Sequence, residues 1–219
     1  MITAIFDLDG TIADTICDLG DAVNRGLSEM GCPQHDYETY KKMVGNGARK
    51  LCERALPEER KSETDRLHEL FRQNYAENYL CKTKLYDGMA DTLAALDKAG
   101  VVLAVATNKP QDFAVSIIDK LLPYVDFVCV LGGTEDRPPK PDTAIIVDIL
   151  SRLPDEKNQV FMIGDSNVDI QTGHNAGIET IGCAWGFRGR EELEREGADY
   201  IAEAPADIVG FVTGKKDQA

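Results

Sequence analysis

The sequence has little that would mark a secreted or membrane protein. Its six cysteines are scattered, and no two have the short spacing of a zinc site or a redox pair. Free thiols in a reducing cytosol fit this distribution best. No apolar run approaches the roughly 20 residues that a membrane-spanning helix needs, and no secretion signal is recognisable near the amino terminus. We therefore expect a cytoplasmic protein without a membrane partner.

Basic residues are also scarce compared with acidic ones. Lysine and arginine together number 24, against 38 aspartates and glutamates, which gives a formal net charge of -14 at pH 7. Most of the surface should repel a nucleic-acid backbone, so no nucleic-acid partner is expected. A chain of 219 residues with 43% hydrophobic residues is long and apolar enough for one substantial core, or for a core domain with a smaller insertion.

Short apolar, β-branched runs recur along the chain, each followed by a small or acidic residue and then a helical pattern. Such runs suit strands that are buried on both faces of a parallel sheet, and the amphipathic stretches between them suit crossover helices. The pattern predicts an α/β fold with a doubly wound parallel sheet. The predicted strands are 3–6, 101–107, 125–131, 160–163 and 180–183, and the predicted crossover helices are 89–99, 111–122 and 143–153.

The interval between the first two predicted strands is too long for a single crossover. Roughly 70–80 residues lie there, whereas one crossover helix needs about a dozen. Helical patterns fill this interval, at 19–30, 37–44, 49–56 and 59–79, and no strand pattern competes with them. We therefore predict an inserted all-helical cap domain at residues 16–84, carried by a catalytic core formed by residues 1–15 and 85–219.

Polar and acidic side chains follow three of the predicted strands. Ligands of open α/β sheets bind beyond the carboxyl ends of the strands, so these side chains are expected to meet at one site. They are Asp7, Asp9, Gly10 and Thr11 after the first strand, Thr107 and Asn108 after the second, and Asp165, Ser166 and Asp169 after the fourth.

The grouped carboxylates indicate a metal site. Asp7 and Asp9, two positions apart in an extended segment, can face the same pocket. Together with Asp165 and Asp169 they would repel one another strongly unless a cation lay among them. Because no histidine or thiol accompanies these oxygens, a hard ion is expected, and Mg²⁺ is the usual choice beside phosphate.

The same residues can carry phosphoryl transfer. A carboxylate such as Asp7 can attack phosphorus, and a second carboxylate, Asp9, can protonate the leaving oxygen and then activate water. The Thr107 hydroxyl, the Asn108 amide, backbone N–H groups near Gly10 and a lysine could hold the phosphoryl oxygens. The candidate lysine is Lys140, whose flanking prolines restrict the backbone.

Four motifs resemble, in order, those of the haloacid dehalogenase superfamily, and they span nearly the whole chain. The resemblance implies Asp7 as nucleophile, Asp9 as general acid and base, Thr107 and Lys140 as phosphate holders, and Mg²⁺ bound by Asp7, the Asp9 carbonyl and Asp165, with Asp169 close by. The second aspartate implies a phosphatase or phosphomutase rather than a dehalogenase. The motifs are Asp7-Leu8-Asp9-Gly10-Thr11, Thr107-Asn108, Lys140-Pro141 and Gly164-Asp165-Ser166-Asn167-Val168-Asp169.

The predicted insertion contains a second possible binding segment. Residues 44–49, with Gly45, Asn46, Gly47 and Arg49, resemble the cap loop of phosphoglycolate phosphatases. Glycines allow a small anion to approach the backbone closely, and Arg49 could clamp a substrate carboxylate with two hydrogen bonds. A simple turn with a solvated arginine is the alternative interpretation. Arg188, just after the fifth predicted strand, could line the pocket edge, although a loop there is the simpler interpretation.

Taken together, these features predict a Mg²⁺-dependent phosphatase of a small phosphorylated metabolite, with phosphoglycolate as the leading substrate and a monomer or homodimer as the assembly. Other members of the same superfamily remain open as alternatives: a pyrophosphatase, a nucleotide or sugar phosphatase, or a sugar phosphomutase. From a different class, the chain could be a non-catalytic binding module that retains the fold.

Overall fold

The structure, a computed structural model, describes residues 1–154 and 159–214. Its strands are β1 (Ile2–Phe6), β2 (Ala13–Asp14), β3 (Lys84–Leu85), β4 (Val102–Pro110), β5 (Phe127–Gly133), β6 (Gln159–Gly164), β7 (Glu179–Cys183) and β8 (Tyr200–Ala202). Its α-helices are α1 (Ile16–Glu29), α2 (Tyr37–Met43), α3 (Ala48–Ala55), α4 (Thr64–Asn78), α5 (Met89–Lys98), α6 (Gln111–Leu121), α7 (Ala144–Leu150), α8 (Asn167–Ala176), α9 (Arg190–Arg195) and α10 (Pro205–Thr213).

Six strands form one parallel sheet in the order β5-β4-β1-β6-β7-β8. Counted along the chain, these six strands have the order 3-2-1-4-5-6, which is that of a doubly wound sheet. The order reverses between β1 and β6, so the crevice beyond their carboxyl ends is where such a fold binds ligands. The predicted α/β fold class is confirmed.

The central strand β1 accounts for the burial of both faces of the sheet. Ala4 and Phe6 lie in a hydrophobic cluster with side chains of α5, α6 and α10, whereas Ile5 lies in a second cluster with side chains of α7. Alternate strand residues point to opposite faces, and all three side chains are fully buried. The uninterrupted apolar run of β1 is therefore what a strand covered on both sides requires.

Helices α1 to α4 lie between β1 and β4 in the chain and share a hydrophobic cluster that includes Leu27, Leu67 and Phe71. Glycine at position 26 lets α1 approach α4, because a Cβ there would lie 2.7 Å from Leu67 Cδ1. The predicted helix at 59–79 is divided into a 3₁₀ helix, Glu58–Glu63, and α4. The division of the chain at 15/16 and 84/85 into core and cap stays a prediction.

Several short elements were not predicted. Strands β2 and β3 pair antiparallel where the chain leaves and re-enters the sheet region, and β8 adds a sixth strand at one edge. The predicted helix at 143–153 is shorter, since α7 ends at Leu150. Across residues 1–154 and 159–214, no helix combines the length and apolar character needed to cross a membrane.

Candidate active site

The carboxyl ends of β1 and β6 place two aspartates side by side. The Asp7 N–H donates to the Ile163 carbonyl at 2.8 Å, which carries the sheet pairing one residue past β1. The chain then turns at Gly10, whose φ of 83° is in the left-handed region and whose missing Cβ would collide with the Asp165 carboxylate. The Gly10 N–H donates to the Ala13 carbonyl at 2.9 Å. Gly10 therefore provides the turn and the space, and its N–H group is already used.

Three buried carboxylates meet at this edge of the sheet. Oxygens of Asp7, Asp165 and Asp169 all lie within 4.8 Å of one another. Asp7 Oδ1 is buried and makes no hydrogen bond of normal geometry, although Lys140 Nζ lies 3.1 Å away. An unsatisfied carboxylate oxygen among other carboxylates fits a hard divalent cation. The Asp9 carboxylate lies outside this group.

Burial and mutual repulsion perturb two of these carboxyl groups. Burial raises the pKa of Asp7 to about 6, a rise that Lys140 opposes and that the charge of Asp169 reinforces. Burial likewise raises the pKa of Asp165 well above its usual range, reinforced by Asp169 and Asp7 and opposed by the Phe187 N–H. Strongly perturbed carboxyl groups in a cleft are typical of functional sites.

The raised pKa of Asp7 predicts a pH-dependent stability for the metal-free protein. Such a group stabilises the fold fully below its unfolded pKa of 3.8, and this contribution is lost as the pH rises through about 6. In chelator, the free energy of unfolding of the wild type should therefore fall relative to that of Asp7→Asn between those two pH values. Urea unfolding of both proteins measures this difference. The raised pKa of Asp7 would be contradicted if the free energy of unfolding of the wild type, minus that of Asp7→Asn, stayed constant or increased with pH.

Lys140 is the buried cation opposite the carboxylates. Its Nζ donates to Asp169 Oδ1 at 2.6 Å and to the Ala106 carbonyl at 2.8 Å. The other Asp169 oxygen accepts from the N–H and the hydroxyl of Ser166, at 3.1 and 2.7 Å. Both oxygens of Asp169 are thus already bonded, which leaves Asp7 and Asp165 as the better placed direct metal ligands.

Asn108 links the site to the helical insertion. Its side chain accepts from the Lys140 N–H at 2.8 Å and donates to the Lys140 carbonyl at 3.0 Å. The same amide nitrogen donates to the Gly45 carbonyl at 2.9 Å. Thr107, the preceding residue of β4, is buried and lines the cavity next to the clustered carboxylates. Asn108 therefore holds both the Lys140 loop and the loop that precedes α3.

The loop before α3 contributes only part of its predicted residues to the cavity. Gly45 and Gly47 line it. Asn46 instead accepts a hydrogen bond from Arg54 Nη2 at 2.7 Å. The Arg49 side chain is 60% exposed and pairs with Asp65 at 2.9 Å, outside the cavity lining. The structure therefore does not bring Arg49 to the site, and the predicted carboxylate clamp has no support from its position.

Asp9 has a cation of its own. Lys109 Nζ donates to the two Asp9 oxygens at 2.9 and 3.2 Å, and the Thr15 hydroxyl donates to Asp9 Oδ1 at 2.7 Å. The ammonium also lies 4.8 Å from the centre of the Tyr75 ring in α4. Burial lowers the pKa of Lys109, but Asp9 and Tyr75 outweigh it and raise the pKa above its ordinary value. Asp9 is therefore fixed in place and its charge is matched.

The loop after β7 completes the walls of the cavity. The Phe187 N–H donates to Asp165 Oδ2 at 2.7 Å, and a Cβ at position 186 would collide with the Asp165 side chain. Arg188 Nη2 donates to the Val44 carbonyl at 2.8 Å. The cavity thus has an acidic floor, and its remaining walls are largely apolar, formed by Leu19, Val44, Ala48, Leu51, Phe71, Tyr75, Pro110 and Phe187.

The sequence profile of the haloacid dehalogenase-like hydrolases matches residues 4–183. This chain belongs to that family. The match spans the acidic cluster, Lys140 and the helical insertion, and it ends with β7.

Relatives of this haloacid dehalogenase-like hydrolase include two enzymes named phosphoglycolate phosphatase. The one from Pseudomonas putida is 33% identical over 221 residues, which cover 98% of this chain and 80% of the relative. The one from Aquifex aeolicus is 32% identical over 209 residues, which cover 95% of each chain. The predicted resemblance is confirmed, and both names agree with the predicted enzyme class, a phosphoric monoester hydrolase.

Solved structures of the family share the whole fold. A protein from Lactobacillus delbrueckii subsp. bulgaricus superposes with a TM-score of 0.90 at 29% identity, covering 96% of this chain and 97% of the other. A haloacid dehalogenase-like family hydrolase from Streptococcus pneumoniae superposes with a TM-score of 0.83 at 27% identity, covering 96% and 98%. Both superpositions therefore include the sheet and the helical insertion of this chain.

Two site residues of this haloacid dehalogenase-like hydrolase were missed by sequence reasoning. Lys109 directly follows the predicted site residues Thr107 and Asn108, so the next residue along that strand was the one overlooked. Gly186 could not be recognised in this way, because glycine is common in loops after strands and its presence does not indicate a specific role. Its role becomes visible only when Asp165 is seen packed against it.

Proposed function

We propose that the chain is a Mg²⁺-dependent phosphatase that hydrolyses a small phosphate monoester, with phosphoglycolate as its substrate. The observation that carries this proposal is the buried Asp7 oxygen Oδ1, which makes no hydrogen bond of normal geometry, lies 3.1 Å from Lys140 Nζ and belongs to a carboxyl group clustered with Asp165. A nucleophile for phosphorus, a cation for the phosphoryl oxygens and a metal-binding carboxylate are thereby grouped at one place.

Asp7 and Asp165 would hold the metal, together with the Asp9 carbonyl, while Asp169 would contribute through Lys140 or through water. A bound Mg²⁺ would neutralise the carboxylates and the charge that develops on the phosphoryl oxygens. The chemistry of the donors supports this choice, because all three side chains in the cluster are carboxylates.

The Asp7 carboxylate attacks phosphorus, and the bond from phosphorus to the ester oxygen breaks. Asp9 donates a proton to that leaving oxygen, which departs as an alcohol. Water then attacks the phosphorus of the aspartyl-phosphate, Asp9 accepts its proton, and Asp7 is regenerated as phosphate leaves. Thr107 and Lys140 hold the phosphoryl oxygens during both steps.

The positions of Asp9 and Lys109 suit this sequence of proton transfers. Asp9 lies outside the metal-binding cluster, so its carboxylate oxygens would not be occupied by the metal. Thr15 and Lys109 fix it from two sides. A fixed acid and base needs no reorganisation when the ester bond breaks, which lowers the barrier.

The helical insertion supports a small substrate. Its loop reaches the core through hydrogen bonds from Asn108 to the Gly45 carbonyl and from Arg188 to the Val44 carbonyl. The cavity below this loop is walled mainly by aliphatic and aromatic side chains, which leaves few partners for the hydroxyls of a sugar or a nucleoside. Relatives named phosphoglycolate phosphatase point to the same size of substrate.

Phosphate release from a panel of phosphorylated compounds tests the proposal. The panel contains phosphoglycolate, pyrophosphate, a hexose phosphate and a nucleoside monophosphate, each assayed with Mg²⁺ and then with chelator. We expect phosphoglycolate to be hydrolysed fastest and all activity to disappear in chelator. Similar rates across the panel would contradict phosphoglycolate as the specific substrate but would still support phosphatase activity. No phosphate release from any compound of the panel would favour the alternatives of a sugar phosphomutase or a non-catalytic binding module.

Mg²⁺ binding should also be visible in stability. A ligand that binds only the folded state, at 100 times its dissociation constant, raises the free energy of unfolding by about 2.7 kcal/mol. We expect such an increase for the wild type at neutral pH, and a smaller one for Asp165→Asn, which has lost a ligand. Urea unfolding with and without Mg²⁺ measures both. Equal increases in the two proteins would contradict the assigned site.

A further inference from the structure

The cavity contains two basic side chains above its acidic floor, and they differ in how their charges are matched. Lys109 is bonded to both oxygens of Asp9. Arg188 is not matched in this way. In the part of the chain that the structure describes, the carboxylate oxygen closest to its guanidinium, Glu192 Oε1, lies 3.8 Å from Nε, which is too far for a hydrogen bond.

The guanidinium of Arg188 is held at the cavity wall with most of its donors unused. Only 14% of the side chain is exposed, and its one hydrogen bond to a described residue goes from Nη2 to the Val44 carbonyl at 2.8 Å. A guanidinium has five N–H donors in a planar fork that matches a carboxylate. A mostly buried cation with four donors that bond no described residue favours an anionic partner.

The backbone of Arg188 is fixed next to the reaction centre. The neighbouring residue, Phe187, donates its N–H to Asp165 Oδ2 at 2.7 Å. Nη2 lies 4.0 Å from the position that a Cβ on Gly45 would occupy, so the guanidinium reaches the loop that covers the cavity. An anion bound to the guanidinium would lie next to that loop, in the cavity that Asp7 also lines. Lys140 does not line this cavity.

We propose that Arg188 binds a carboxylate at the non-phosphoryl end of the substrate and thereby selects phosphorylated short-chain hydroxy acids over phosphate esters of the same length that lack a carboxylate. This inference rests on the proposed function and names the residue that determines its specificity. The apolar walls around the guanidinium strengthen the ion pair, because little water is present to screen it. An ester without the carboxylate leaves the guanidinium unpaired and loses that interaction.

The two candidate arginines, Arg49 and Arg188, can be distinguished by position. Arg49 lies in α3, directly after the loop that contains Gly45, but is 60% exposed and paired with Asp65. Its charge is therefore both matched and screened by water, where ion pairs contribute little. Arg188 is the arginine that lines the cavity, so the carboxylate preference should follow Arg188 rather than Arg49.

The test compares two esters of equal length, phosphoglycolate and 2-hydroxyethyl phosphate, in the full chain with Mg²⁺. Arg188→Met should lower kcat/KM for phosphoglycolate by about 10- to 100-fold more than kcat/KM for 2-hydroxyethyl phosphate. This is the loss expected for charge-assisted hydrogen bonds. Arg188→Lys should restore part of this preference, because it keeps the charge and loses the fork. Arg195→Met, at a side chain that is 66% exposed, is the matched control and should leave the ratio unchanged.

The outcomes separate this inference from the proposed function. Equal losses on both esters in Arg188→Met would mean that Arg188 only holds the covering loop, and would overturn the inference alone. Loss of the preference in Arg49→Met but not in the Arg188 variants would also overturn it. Failure of the wild type to release phosphate from either ester would overturn the proposed function and the inference with it. Should Arg188→Met not fold, Arg188→Lys decides through the same ratio.

Discussion

Replacing Asp7 with Asn should lower kcat for phosphoglycolate by about 10⁵-fold or more, as expected when a covalent nucleophile is removed. The amide has nearly the same shape as the carboxylate but cannot attack phosphorus. Because Asp7 is a buried carboxyl group with a raised pKa, its neutral replacement should not lower the free energy of unfolding at neutral pH. Steady-state phosphate release and urea unfolding measure the two effects.

The matched control for this variant is Asp97→Asn. Asp97 is exposed near the end of α5, so the same chemical change should leave kcat unchanged. An Asp7→Asn protein that is folded and keeps activity within about tenfold of the wild type would contradict the assignment, because a lost nucleophile costs far more than that. Activity that returns on storage would indicate deamidation rather than a second mechanism.

Replacing Lys140 with Met should lower the free energy of unfolding by about 3–5 kcal/mol in the metal-free protein at neutral pH. Lys140 is only 2% exposed, and its ammonium group contacts Asp169 and Asp7. Methionine fills a similar volume but leaves these buried carboxylates without their cation, and removal of one partner of a buried pair is costly. The loss should shrink below the Asp7 pKa of about 6, where that carboxyl group is neutral.

Urea unfolding at neutral and acidic pH measures the Lys140 effect. Lys98→Met is the control, since Lys98 is exposed at the end of α5. A decrease below about 1 kcal/mol for Lys140→Met would be typical of a surface ion pair and would contradict the role given to Lys140. Added Mg²⁺ should recover part of the lost stability, because the cation takes over the balance of charge.

The sheet could be predicted from the sequence where burial leaves a strong pattern. The run that ends at Phe6 is apolar because β1 is covered on both faces, and such runs are visible without a structure. Strand β8, Tyr200–Ala202, is only three residues long and exists because it pairs with β7. The pairing of Ala13 with Leu85 joins residues that are distant in the chain. Periodicity carries no information on such contacts.

Part of the candidate site could be predicted because strand ends converge by topology. Asp7 and Asp165 follow β1 and β6, and Thr107 lies near the carboxyl end of the neighbouring strand β4, so residues at the ends of the predicted strands include all three. Lys109 was missed because β4 continues to Pro110 rather than ending near Thr107. The long strand brings the Lys109 side chain into the cavity beside Asp9.

The position of the Arg49 side chain depends on which face of α3 is buried, and the sequence of the preceding loop does not indicate this. Helix α3 begins at Ala48 and buries Leu51, Cys52 and Ala55. With about 3.6 residues per turn, this buried face turns Arg49 and Lys50 toward solvent. The resemblance of residues 44–49 to a cap loop therefore located the loop against the core but did not locate the side chain of Arg49. Arg188, from a separate part of the chain, occupies the cavity wall instead.

Mass spectrometry of the acid-quenched enzyme can detect a covalent phosphoryl group on Asp7, the intermediate on which the proposed mechanism depends. The wild type is mixed with phosphoglycolate and Mg²⁺, quenched during turnover and digested at low pH, where an acyl phosphate survives. We predict a phosphoryl group on the peptide that carries Asp7, absent when Mg²⁺ is chelated and absent in Asp7→Asn. Turnover without any phosphorylated peptide, or with the phosphoryl group on another residue, would contradict the account.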